Sequence, residues 1–255
     1  MRTTVTRDDR GVDRGERAVA AMIEPIASAR AYNDPSGPPP PTALTRALLR
    51  CGAVAGPLFV LVVLVQDYTR PGVDPRTQPL SLLALGAWGW VQVANFALVG
   101  ALNLLYAAGL WRRLHPGRAG TWGPLLIGIY GLGLVVVGVC RTDPAAGFPP
   151  DVAAATQPSW HGAVHALGAL VTFLALTAAL AVFARRFLAR REWWWAAYCL
   201  ASATLQLALF FGGFVSTAAM ARTLRLAVLV GWTAASAIAA QLLAAPDAAR
   251  RARGR

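Results

Sequence analysis

His161 and His165 stand four residues apart, so in a helix both imidazoles fall on one face. Upstream in the same stretch, "RTDPAAGFPPDVAAATQPSWHGAVHALGAL", lie Arg141 and Asp143. Asp67 and Arg70 close an earlier apolar run, Ser81 follows them, and Asn95 opens the next run with Gln92 one turn before it. Two imidazoles and one carboxylate, Asp143 or Asp67, make a three-ligand zinc set with a fourth position open to water. Zinc brings such a water toward a neutral pKa and makes it a hydroxide nucleophile, with Ser81 to orient substrate. One expectation is therefore a metal-dependent intramembrane hydrolase of lipid or amide substrates, with His161, His165 and Asp143 as ligands.

The plainer expectation is a structural or ligand-binding protein with no cofactor. An ionisable group within a span is costly unless paired. His165 then hydrogen-bonds Asn95 or a backbone carbonyl, while Asp67–Arg70 and Arg141–Asp143 form local ion pairs that order the loops. A third expectation makes the cluster the mouth of a polar cavity in a small-molecule transporter or sensor. Against coupled transport, the deep polar groups are Asn103, Thr172 and Gln206, none of them acidic. A b-type haem needs axial histidines from two facing helices, and these two share one helix face. The third histidine, His115, falls in a turn on the opposite side.

The elements that position these groups follow from hydropathy. Hydrophobic residues make up 56% of the 255 positions and charged residues 14%, against roughly 25% charged in a soluble domain. Six nearly uncharged runs reach the ~20 residues that a bilayer core requires: Leu48–Gln66, Trp88–Leu110, Trp122–Cys140, His161–Ala184, Trp194–Ser216 and Leu226–Ala245. The fold class is all-α, a six-helix transmembrane bundle. The net charge of +12 rests on arginine alone. Nineteen arginines fall in the two tails and the turns after spans two and four, and five fall in the other loops. That positive-inside asymmetry predicts both termini in the cytoplasm. It makes anionic lipid headgroups, not nucleic acid, the partner of the basic charge. The expected location is a multi-pass place in the bacterial plasma membrane.

Residues 1–45, charged and ending in "PSGPPPP", read as a disordered cytoplasmic tail, with a start at Met22 as the alternative. Residues 46–245 form the six-span domain, and 246–255 a basic cytoplasmic tail. Cys51, Cys140 and Cys199 show no metal or redox spacing and are expected as free thiols. Trp88, Trp90, Trp122, Trp160 and Trp193–Trp195 fall at span ends, where indole prefers the interface.

The loop after span one contains prolines, which forbid a continued helix. Its "LSLLALGAW" is apolar but too short to cross, so it lies in the interface or dips back as a re-entrant segment. His165 and Asn95, both about one and a half turns below the interface, are expected to meet. The segment 141–165 is expected to fold over the bundle's mouth with the loop 67–87, anchored by Phe148.

The pattern "DYTRPGVDPRTQPLSLLALGAWGWVQVANF" with "RTDPAAGFPPDVAAATQPSWHGAVH" resembles the bacterial six-span membrane family known as domain of unknown function 998. The resemblance covers roughly residues 45–245, with Asp151 standing where the family pattern has glycine. It implies a six-helix integral membrane protein and no particular activity.

Overall fold

The structure, a computed structural model, describes residues 41–215 and 217–244. The expected terminal tails lie outside the described residues, apart from 41–45. Thr42 there already caps a helix by accepting from the Thr45 amide, so ordered structure begins before residue 46.

Six long helices follow in order: α1 (Ala43–Thr69), α2 (Gly89–Leu114), α3 (Arg118–Val139), α4 (Trp160–Ala189), α5 (Trp193–Gly212) and α6 (Thr217–Ala244). A short 3-10 turn, Leu80–Ala84, lies between α1 and α2, and no strand occurs among the described residues. Each long helix contains a window apolar enough to cross a membrane. Only 33–50% of each window is buried inside the protein. The remaining leucines, such as Leu61, Leu98, Leu167 and Leu205, face outward. An apolar exterior of that extent needs lipid around it.

Most helices run a turn or so beyond the hydropathy reading, and two ends differ in other ways. α6 begins at Thr217 rather than Leu226, because the charge of Arg225 ends the apolar run without ending the helix. α5 stops at Gly212, where two successive glycines weaken a helix.

Short connections at 115–117 and 190–192 force antiparallel neighbours. Each helix packs on its sequence neighbours, and α6 returns to pack on α1, which closes the six into a ring. Small residues permit the close approaches. A Cβ built on Gly100 would lie 2.7 Å from the Gly131 carbonyl oxygen, so α2 and α3 meet there backbone to backbone. At Gly56 a Cβ would lie 2.9 Å from the Trp232 carbonyl oxygen, the corresponding contact of α1 with α6. Phe59, Phe96, Tyr130 and Trp232, from α1, α2, α3 and α6, cluster inside the ring with centroid separations of 5.3–5.4 Å. All three cysteines are free. Trp88, Trp90, Trp122, Trp160, Trp193 and Trp194 are exposed at the helix ends, while Trp195 packs against Phe187.

Candidate functional site

The loops 70–88 and 140–159 lie at one end of the ring, and each is organised by its own polar residues. Asp74 accepts from the Arg76 amide and the Thr77 hydroxyl, both at 2.9 Å. Those bonds to the charged form hold its carboxyl below the usual range. The Gln78 side chain accepts from the Asp74 amide at 2.9 Å and donates to the Gly72 carbonyl at 3.3 Å. In the second loop Ala145 and Phe148 exchange both backbone hydrogen bonds. The two residues between them, Ala146 and Gly147, have positive φ, the geometry of a tight hairpin turn.

The two loops lock together over the ring. Gln78 Nε2 donates to the Ala146 carbonyl at 3.4 Å. Phe148, 2% exposed, packs against Leu82 and Leu85. The guanidinium of Arg70 stands 5.0 Å from the Phe148 ring centroid while donating to the carbonyls of Leu83 and Leu85. Partial burial lowers the Arg70 pKa. The apolar "LSLLALGAW" turns inward: Leu80 and Leu83, three residues apart on the 3-10 turn, join the main core. Leu82 and Leu85 face Phe148 instead. The expected cap over the mouth is therefore present in part, with Phe148 as its anchor, while residues 151–160 stay exposed rather than folding down.

Several expected pairings take other partners. The Asp67 carboxylate does not pair with Arg70. It receives two hydrogen bonds from Arg225 of α6, at 2.8 and 3.2 Å, and the same guanidinium donates to the Gln78 carbonyl. This pair ties α1, α6 and the cap, and the sequence reading missed Arg225 because it counted that residue as loop charge.

Nor does Arg141, which is exposed, hold Asp143. The Ser159 hydroxyl and backbone amide hold the Asp143 carboxyl below the usual range, the amide at 2.9 Å. Ser159 also caps α4 by accepting from the Gly162 amide at 3.0 Å. Asp143 thus adds negative charge at a helix N-terminus, where it is favourable.

Asn95 and His165, expected to meet directly or through one water, are joined by no direct bond. Asn95 donates to the Phe59 carbonyl at 3.3 Å and to Gln92 Oε1 at 3.4 Å, and Gln66 donates to the same Gln92 oxygen at 2.8 Å. His165 places Nδ1 at 3.0 Å from the Val137 carbonyl oxygen and 2.9 Å from that of Cys140. The backbone-carbonyl alternative is the one observed. These are carbonyls at the end of α3, which the helix itself leaves unpaired.

The two histidines, both within electrostatic reach of Asp143, have different surroundings. His161 is exposed and stacks on Trp160 with centroids 3.5 Å apart. With Asp67 on Arg225 and Asp143 on Ser159, no three of His, Cys, Asp and Glu gather as a metal-ligand set among the described residues.

What the ring does enclose is a cavity of about 200 Å³ below the cap. The aromatic cluster forms one wall, and α4 and α5 form the opposite wall with Ala169, Phe173 and Phe210. Ser81 and His165 line it as well, and Gln206 lies along α5. On α4 the lining runs from His165 to Leu176, about 16 Å at 1.5 Å per residue. Two wall residues, Ala166 on α4 and Phe214 just after α5, are exposed.

A closed ring of six apolar helices with a loop cap defines a multi-pass integral membrane protein. The family model described as "Protein of unknown function (DUF998)" matches residues 53–245. The chain belongs to that family. No curated protein and no solved structure matches it.

Proposed function

We propose that the protein binds an apolar molecule drawn from the outer leaflet of the bacterial plasma membrane, holding it beneath the cap. The observation that carries this reading is the cavity itself, about 200 Å³ and walled by aromatic and aliphatic side chains from all six helices. An apolar cavity of about 150 Å³ is already large enough to hold benzene. Its exposed rim at Ala166 and Phe214 is a doorway on the lipid-facing side. Through it a chain or small ring passes from bilayer to protein without crossing water. The arginine distribution supports the orientation, with the capped end outward and the basic turns against anionic headgroups. The hydrolase reading is the weaker one: Asp143 lies within electrostatic reach of both His161 and His165, but His161 stacks on Trp160 and both carboxylates are hydrogen-bonded elsewhere.

Photolabelling with an alkyl diazirine in native membranes tests the proposal. Label concentrates on Phe173, Phe210 and Phe214, and Ala169→Trp, which fills the cavity, removes most of it. Label spread evenly over Leu61, Leu98 and Leu205, and unchanged in A169W, would sink the reading. Reporters fused after Asp151 and at Arg255 read outside and inside; the same side from both would overturn the orientation.

A further inference from the structure

The polar atoms of the cavity select among apolar ligands, and we infer that its occupant is a neutral alcohol whose hydroxyl donates to Nε2 of His165. This inference rests on the cavity-binding reading above. Carbonyl oxygens only accept, so the 2.9 and 3.0 Å contacts to Cys140 and Val137 put the proton on Nδ1. The neutral ring is left with its lone pair on Nε2. That nitrogen has no partner among the described residues, yet it is not one of the polar atoms fully enclosed by protein. His165 lines the cavity, so Nε2 is an acceptor open to an occupant.

The other polar groups on the helix walls are committed or shielded. The Thr172 hydroxyl donates to the Gly168 carbonyl at 2.6 Å. The Gln206 amide donates to the Phe173 carbonyl and the Thr177 hydroxyl, and its oxygen is enclosed. Ser81 lies under the cap on the same cavity and supplies a hydroxyl that both donates and accepts. No charged side chain lines the cavity among the described residues. A carboxylate or phosphate entering it would meet a lone pair and no counter-charge, and burying an unpaired charge is far more costly than burying a hydroxyl. A pure hydrocarbon would leave Nε2 without a partner. An alcohol avoids both penalties.

The test uses the full-length protein, purified in detergent and stripped of lipid. Binding of 1-octanol, nonane and octanoate at neutral pH is read from melting temperature against free aqueous concentration. Octanol is expected to bind about tenfold more weakly to His165→Phe than to the unaltered protein, the equivalent of ~1.4 kcal/mol for one buried hydrogen bond. Nonane binds H165F no more weakly than the unaltered protein. Octanoate binds the unaltered protein most weakly of the three.

Should H165F fold poorly, the rank of octanoate in the unaltered protein still decides. Octanol binding unchanged in H165F, or octanoate tightest, overturns the alcohol inference while the cavity reading stands. If none of the three binds, the cavity reading falls and this inference with it.

Discussion

Asp67→Ala destabilises the protein by about 3–5 kcal/mol, the cost of leaving one member of a buried ion pair without its partner. The side chains are 5% exposed at Asp67 and 17% at Arg225, with 2.8 Å between Nη2 and Oδ1. Two hydrogen bonds give the pair a fork geometry. Removing the carboxylate strands a guanidinium near the membrane-facing rim, still bonded to the Gln78 carbonyl but uncompensated in charge. In a protein of this size the loss lowers the melting temperature in mild detergent by on the order of 10 °C.

The double substitution Asp67→Met/Arg225→Met recovers most of that loss, because an apolar pair of similar volume avoids both desolvation costs. Melting of D67A that matches the unaltered protein would contradict this account of the pair. So would a double variant no better than the single one.

Phe148→Ala opens the cap. Truncating a buried phenylalanine costs about 3–5 kcal/mol, and here the loss falls on a small cluster, Leu82, Leu85 and Phe148, that is separate from the main core. The effect is therefore expected to be local. Amide hydrogen exchange in 141–159 rises by on the order of 100-fold, as a loss of ~3 kcal/mol of local opening free energy implies. The transmembrane helices keep their protection. Phe148→Leu, which retains most of the buried area, gives a much smaller rise. Unchanged exchange in that segment, or a rise spread evenly over all six helices, would show that Phe148 is not the anchor. Since the cap roofs the cavity, F148A also shortens the residence of any occupant held there.

The sequence by itself determined the six spans, because backbone groups in lipid must be satisfied within their own segment and that demand can be read without knowing any neighbour. It also put Asp67, Asn95, Asp143 and His165 at one end of the bundle, since depth along a helix follows from counting residues at a fixed rise. The cap was legible in the same way: its prolines forbade a helix, and Phe148 stood among them with no span to join.

Partners were not legible. The nearest cation to Asp67 along the chain is Arg70, yet its carboxylate goes to Arg225, 158 residues away. Asn95 and His165 share a depth but point to different neighbours. Depth belongs to one helix, whereas a contact depends on how two helices are rotated about their own axes. Those rotations are set by side-chain packing such as Gly100 on Gly131 and Gly56 on Trp232, which no single segment contains. The cavity is the extreme case. It is the space left where α4 and α5 stand off from the aromatic cluster of the other helices, so it exists only once the ring has closed.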